Sequence, residues 1–194
     1  MLMNAPNILT LIRLALIPLL VILYFTPGRS AAGLTTAVFV IAALTDLLDG
    51  YLARRLQQTS ALGAFLDPVA DKLVVAAALV LLAADPLVHQ FVWDNRLFLV
   101  MVLVIIGREI TVSALREWMA EIGKRKKVAV SSLGKVKTVM QMVAISFLLF
   151  RGQLWSIPIM TIGEILLDLA AILTLMSMLN YLRAAWPALS QGDS

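Results

Sequence analysis

The stretch TDLLDGYLARRLQQTSALGAFLDPVADK, residues 45–72, decides the fold and the chemistry of this chain. It carries four aspartates beside strongly apolar runs. Carboxylates in such a setting are costly to bury and usually mark a functional site. Asp46 and Asp49 are three residues apart, and Asp67 and Asp71 are four apart, so each pair shares one face of a helix. Two such helices facing each other would bring four carboxylates to one point.

Carboxylates that close together repel one another unless a cation neutralises them. Hard oxygen ligands suit Mg²⁺, Mn²⁺ or Ca²⁺, and a chain with no cysteine and one histidine argues against zinc. Small residues beside the acids, Gly50, Ala53 and Gly63, leave room for a bulky ligand, and Arg54 can pair with a phosphate. The stretch therefore predicts a diphosphate held through bridging metal ions.

From Asp46 to Asp71 the stretch reads D-x2-D-G-x2-A-R-x8-G-x3-D-x3-D. This resembles the signature of the CDP-alcohol phosphotransferase family at every fixed position. The resemblance implies transfer of a phosphatidyl or similar group from a CDP-alcohol to an acceptor hydroxyl, with release of CMP. It also implies a homodimer and two Mg²⁺ (or Mn²⁺) ions held by the four aspartates, with Asp71 as the general base. The residues that it implies for CDP binding are Asp49, Gly50, Ala53, Arg54, Gly63 and Asp67.

Hydrophobic residues make up 61% of the 194 positions, and the apolar runs have the length of bilayer spans. We therefore expect an all-α integral membrane protein with about six transmembrane helices in a single catalytic domain, residues 1–194. The second span is expected at about 31–56 and the third at about 65–84, with Pro68 in its first turn. The sixth is expected at about 160–182. The first apolar run is interpreted as a retained helix because no basic segment precedes it.

The formal net charge is +4, and its distribution predicts the topology. Seven basic residues oppose two acidic ones between Arg116 and Lys137, and further basic residues follow the second and sixth spans. By the positive-inside rule, both termini and the aspartate site face the cytoplasm of a bacterial inner membrane. The run Lys124 to Lys127 is typical of a segment that contacts anionic membrane lipids. No nucleic-acid partner is expected.

A second group of charges predicts where the acceptor binds. Arg108 and Glu109 lie deep in the fourth span and form either an internal ion pair or a site where Arg108 holds a phosphate. Lys135 and Lys137 open the fifth span just after Gly134, where a helix N-terminus favours anions. We therefore expect Arg108, Lys135 and Lys137 to bind the phosphate of a phosphorylated acceptor.

Within the family, the opening PNILTLIR and the run from Arg108 to Met142 resemble the bacterial phosphatidylglycerophosphate synthases. This implies CDP-diacylglycerol and glycerol 3-phosphate as substrates, with phosphatidylglycerophosphate and CMP as products. Inositol 1-phosphate, or phosphatidylglycerol as in a cardiolipin synthase, is the alternative acceptor.

Three other features have open interpretations. Arg13 either extends to the lipid headgroups or contacts a lipid phosphate near the site. Lys72 is expected to be an anchor or a local counter-charge. Glu164 and Asp168 either line a helix contact or lie near the outer surface, paired with Arg151.

Intramembrane acids and arginines also occur in ion and proton transporters. Transporters typically show paired repeats or broken spans in both halves, and this sequence has neither. The sequence therefore favours an enzyme over a transporter.

Overall fold

The structure, a computed structural model, describes residues 5–56, 61–124, 132–152 and 157–190. Within these ranges it does not describe the side chains of residues 5, 6, 29, 46–56, 61, 62, 64, 65, 67, 132–135 and 189.

The described residues form six α-helices and one short 3-10 helix, which confirms the expected all-α class. The α-helices are α1 (Ala5–Phe25), α2 (Arg29–Leu56), α3 (Ala61–Ala84), α4 (Asn95–Glu121), α5 (Ser132–Phe150) and α6 (Ile159–Leu189). The 3-10 helix, Val88–Gln90, lies between α3 and α4.

Local chemistry explains several of the helix boundaries. Gly28, in the break between α1 and α2, has a φ of +118°, which a residue without a Cβ adopts readily. Asp94 precedes α4, and its Oδ1 accepts hydrogen bonds from the backbone N–H groups of Arg96 and Leu97 at 2.7 and 2.9 Å. This is the arrangement of an N-cap.

The expected position of Pro68 is wrong. Helix α3 begins at Ala61, so Pro68 lies inside the helix and not in its first turn. Prolines are tolerated within membrane helices because neighbouring groups satisfy the freed backbone atoms. Pro18 and Pro187 likewise lie inside α1 and α6, and α6 continues to Leu189, beyond the expected end at 182.

Contacts between distant residues show that successive helices run in opposite directions. Tyr24 near the end of α1, Asp85 just after α3 and Arg151 just after α5 meet at one end of the bundle. Asp71 in α3 and Arg108 in α4 line a shared cavity towards the other end. We refer to the region of Tyr24, Asp85 and Arg151 as the closed end, and to the region around that cavity as the cavity end.

The surface is apolar and the interior carries charge, which is typical of a membrane protein. In the described part of the chain, three helices are long and apolar enough to cross a membrane: Asn7–Phe25, Asn95–Glu121 and Ile159–Ala188. Shorter apolar helices cover Ser30–Thr45 and Val136–Phe150. Ile22 and Leu103 are exposed, whereas the side chains of Arg13 and Lys137 are buried. The count of six spans and the cytoplasmic termini stay predictions.

Helices α5 and α6 pack closely at Gly163. A Cβ at this position would lie 3.1 Å from Phe147 Cβ and from Leu148 Cγ, and 3.2 Å from the Ala144 carbonyl oxygen. Small residues allow such close approach of helices in membranes. Gly163 therefore fixes the distance between the two helices that bring residues 137 to 142 and 177 to 181 to the cavity end.

Candidate active site

A cavity of about 220 Å³ lies between four helices at the cavity end. Helix α3 contributes Asp71, Lys72 and Val75; α4 contributes Arg108, Glu109, Val112, Ser113 and Arg116; α5 contributes Thr138, Gln141 and Met142; and α6 contributes Tyr181. A cavity of this size has room for a small polar molecule.

Asp71 lies where this cavity meets two other openings. It lines a small recess together with Arg13 and Ala42, and a wider groove of about 810 Å³ between α3 and α4. The side chain of Asp71 is half-buried. A carboxylate in this position can take a proton from a molecule bound in the cavity.

Asp71 is also the only one of the four signature aspartates whose side chain is described. Asp46 and Asp49 are positions of α2 and Asp67 is a position of α3, and these two helices contact each other. For seven of the predicted site residues, the structure describes the backbone position or helix only: Asp46, Asp49, Gly50, Ala53, Arg54, Asp67 and Lys135. Gly63 is described and is buried. The metal site therefore stays a prediction, and an all-aspartate oxygen set has the chemistry that suits Mg²⁺ or Mn²⁺.

Arg108 is buried and is held by three neighbours. Its Nη1 donates to Glu109 Oε1 at 2.9 Å, and its Nη2 donates to Ser177 Oγ at 3.1 Å. The guanidinium carbon lies 5.8 Å from the centre of the Tyr181 ring, within range of a cation–π contact. The prediction that Arg108 projects into a polar cavity agrees with this placement, since Arg108 lines the cavity wall.

Glu109 joins two cations from different helices. Lys137 Nζ donates to the same Oε1 atom at 2.7 Å, so one carboxylate is shared by Arg108 and Lys137. Lys137 is 1% exposed and is not among the residues that line the cavity. The ion pair between Arg108 and Glu109 is therefore confirmed. Arg108 also lines the cavity, and its binding of a phosphate stays a prediction.

Arg13 is 1% exposed, so the interpretation that it extends to the headgroups is wrong. It lines the small recess with Asp71, Val74 and Met142, in the interior of the bundle. Lys72 donates to the Pro68 carbonyl oxygen at 2.8 Å and also lines the cavity, which places a positive charge next to Asp71.

Among the polar residues of the cavity wall, sequence reasoning gave no site role to the cation Arg116 or the amide Gln141, and it did not foresee that Glu109 is shared with Lys137. Arg116 was grouped with the basic segment that marks the cytoplasmic side. Its spacing of eight residues from Arg108 was the available signal, because i, i+4 and i+8 follow one side of a helix. Gln141 lies four residues after Lys137, and the same rule applies to it.

The closed end also contains charges, but it has a different arrangement. The Tyr24 hydroxyl donates to Asp85 Oδ2 at 2.7 Å, and Arg151 Nη1 donates to the same atom at 3.1 Å. Arg151 Nη2 donates to the Tyr24 carbonyl oxygen at 2.8 Å, and its guanidinium carbon lies 3.9 Å from the centre of the Tyr24 ring. One carboxylate thus pairs with one guanidinium and ties the ends of three helices together.

This geometry corrects the expected pairing of Arg151 with Glu164 or Asp168. Arg151 pairs with Asp85, and Glu164 Oε1 accepts a hydrogen bond from the Trp93 backbone N–H at 2.8 Å. Glu164 therefore attaches the segment before α4 to the first turns of α6, which agrees with the alternative that it lines a helix contact.

The family model described as CDP-alcohol phosphatidyltransferase matches residues 3–186. The chain belongs to this family. The match includes the signature stretch and all the described residues of the cavity wall.

Relatives with an assigned activity are similar over nearly the whole chain. The CDP-diacylglycerol–glycerol-3-phosphate 3-phosphatidyltransferase of Salmonella choleraesuis (strain SC-B67) is 50% identical over 182 residues, which cover 94% of each chain. The proteins of the same name from Escherichia coli (strain K12) and Shigella flexneri are each 48% identical over the same shares. The similarity of this CDP-alcohol phosphatidyltransferase to these relatives therefore extends over nearly the whole chain.

Proposed function

We propose that the chain transfers the phosphatidyl group of CDP-diacylglycerol to glycerol 3-phosphate. The free hydroxyl oxygen at C1 of glycerol 3-phosphate attacks the phosphorus that carries diacylglycerol. The bond from that phosphorus to the oxygen of CMP breaks, and CMP leaves. The hydroxyl proton passes to Asp71, and the products are phosphatidylglycerophosphate and CMP.

One observation carries this proposal: the carboxylate of Asp71 and the guanidinium of Arg108 line the same small polar cavity. A carboxylate is a suitable base for the attacking hydroxyl, and an arginine is a suitable ligand for a phosphate. An acceptor that carries its own phosphate uses both groups. The names of the relatives point to the same acceptor.

The donor half of the reaction is assigned to the signature stretch. Asp46, Asp49, Asp67 and Asp71 would hold two Mg²⁺ (or Mn²⁺) ions, which when bound neutralise charge on the diphosphate. Asp49, Gly50, Ala53, Arg54, Gly63 and Asp67 would bind the CDP group. The buried position of Gly63 is consistent with a close approach of backbone to backbone or to ligand.

In the acceptor half, Arg108 would contact the phosphate directly. Lys137 would act through Glu109, because Lys137 does not line the cavity and shares that carboxylate with Arg108. Lys135 would be a further phosphate ligand. Inositol 1-phosphate presents the same phosphate and remains the alternative acceptor, as does phosphatidylglycerol.

We also propose that the enzyme is a homodimer in the bacterial inner membrane, with its active site facing the cytoplasm. The basic segment between Arg116 and Lys137 supports this orientation by the positive-inside rule. The donor tails would remain among membrane lipids beside the helices, where the described surface is apolar.

The test is CMP release by the purified protein in detergent with CDP-diacylglycerol and Mg²⁺. Glycerol 3-phosphate, inositol 1-phosphate and phosphatidylglycerol are offered separately, with an EDTA control. We expect release with glycerol 3-phosphate alone and its loss in EDTA. CMP release with only another acceptor would replace glycerol 3-phosphate as the assigned acceptor. If no acceptor gave metal-dependent CMP release, the result would contradict the enzyme and favour a transporter.

A further inference from the structure

Gln141 lines the cavity but has no part in the proposed reaction. Among the described wall residues without such a part, it is the one with a buried polar atom that lacks a hydrogen-bond partner. It lies on α5, one turn after Lys137, and is 3% exposed. Its Oε1 atom is buried and has no hydrogen-bond partner among the described residues. A buried polar atom left without a partner costs about 1–3 kcal/mol. Because Gln141 also lines the cavity, a group of a molecule bound there would supply the missing partner.

The charged wall residues account for two other parts of such a ligand. Lys72, Arg108 and Arg116 only donate hydrogen bonds, which suits a phosphate, and Asp71 accepts, which suits the attacking hydroxyl. A glutamine side chain both donates and accepts. This is the combination that a hydroxyl group requires, because a hydroxyl also donates and accepts.

A phosphorylated acceptor of this size has three parts to be held. Glycerol 3-phosphate carries a phosphate, the hydroxyl that reacts and a second hydroxyl that does not react. The phosphate is assigned to Arg108 and the reacting hydroxyl to Asp71. Gln141 lines the same cavity as both residues and is the neutral amide among its walls.

We propose that Gln141 is a specificity-determining residue that hydrogen-bonds the non-reacting hydroxyl of the acceptor. This inference rests on the proposed function, because it assigns one part of the same substrate. This hydrogen bond would make the enzyme select a phosphorylated diol over a phosphorylated alcohol that has only the reacting hydroxyl.

The experiment compares glycerol 3-phosphate with propane-1,3-diol monophosphate, which keeps the phosphate and the reacting hydroxyl but lacks the second hydroxyl. For the wild type, we expect kcat/KM to favour glycerol 3-phosphate by at least about tenfold, as for loss of one buried hydrogen bond. In Gln141→Met, which keeps the length of the side chain, this ratio should fall to near one. The fall should come from slower use of glycerol 3-phosphate, with the analogue little affected.

Ser146→Ala on the same helix is the matched control. Its hydroxyl donates to the Met142 carbonyl oxygen at 2.8 Å and is not part of the cavity wall, so the wild-type ratio should remain. If Gln141→Met does not fold, Gln141→Asn provides the decision, because it keeps an amide but withdraws it by one methylene and should also lower the ratio.

The outcomes separate the two proposals. A wild type that uses both phosphates equally, or a Gln141 variant that slows both equally and keeps the ratio, overturns the role of Gln141 and leaves the proposed function intact. A wild type that releases CMP with neither compound overturns the proposed function and this inference with it.

Discussion

The two ends of the bundle use similar residues for different purposes. At the closed end, Asp85 pairs with one guanidinium, that of Arg151, and no cavity that we describe is lined by the pair. At the cavity end, Glu109 is shared by Arg108 and Lys137, so one positive charge there is not balanced within the cluster. A balanced buried pair joins helices, whereas an excess of positive charge beside a cavity provides a site for an anion.

The largest expected effect is that of Asp71→Asn at the cavity end. Loss of a general base lowers kcat by about 10²–10⁴-fold. The folded protein should persist, because the substitution keeps the size of the side chain. CMP release measures the first quantity, and the midpoint of thermal unfolding in detergent measures the second.

Asp168→Asn makes the same chemical change on α6, away from the described wall of the cavity, and should leave kcat near the wild-type value. An Asp71→Asn protein that turns over at the wild-type rate would remove Asp71 from the role of base.

The next effect is expected at the closed end. Asp85→Asn leaves the buried guanidinium of Arg151 without its carboxylate, which costs about 3 kcal/mol of unfolding free energy. Kinetic constants per folded molecule should not change, because this cluster is at the opposite end from the cavity. Denaturant unfolding in detergent, followed by CMP release at a matched folded fraction, checks both statements. A raised KM for glycerol 3-phosphate would contradict the separation of the two ends.

Glu109→Gln tests the same kind of loss at the cavity end, with a smaller effect on stability. Two cations lose the carboxylate they share, but the Glu109 side chain is 29% exposed and that of Asp85 only 7%, so the free protein should lose only about 2 kcal/mol. Added glycerol 3-phosphate should restore part of this stability, because its phosphate supplies negative charge to Arg108 and ligand binding stabilises the folded state.

The comparison is made by repeating the titration with Asp85→Asn. Glycerol 3-phosphate should stabilise that variant no more than it stabilises the wild type. Equal ligand responses in the two variants would show that the shared carboxylate is unrelated to the acceptor site.

The smallest effect is expected for Gly163→Ala, which changes no charge at either end. The new Cβ would approach Phe147 and Leu148 at 3.1 Å, so α5 and α6 must separate slightly, at about 1 kcal/mol. Gly107→Ala on α4 is the matched control, because a Cβ there meets no atom within 4 Å. The control should be neutral or stabilising, and equal losses in both variants would contradict the close-packing interpretation.

The sequence predicted the all-α class and the approximate helix positions because long apolar runs leave little choice in a membrane. It misplaced Pro68 because proline is a strong breaker in water but is tolerated within a membrane helix. It also left Arg13 open between a headgroup contact and a phosphate contact near the site, since a single arginine near the start of an apolar run gives no sign of the carboxylate-lined recess formed by other helices.

The candidate site was predictable where its residues are close in sequence. Asp71 was found by its spacing within one stretch, and Arg108 by its depth in an apolar run. The sharing of Glu109 by Arg108 and Lys137, by contrast, joins residues 28 positions apart on two helices, and no periodic pattern encodes that contact. The distinct roles of Asp85 and Glu109 depend on neighbours brought together only by the fold.

Arg108 is anchored by the last helix, through Ser177, 69 residues further along the chain, and through Tyr181. During synthesis, the signature stretch therefore enters the membrane well before the groups that hold this arginine. A nascent chain that stops before Ser177 contains all four aspartates but lacks the anchor of Arg108. The order of translation thus completes the wall of the cavity after the signature stretch, so that a partial chain does not present a finished cavity.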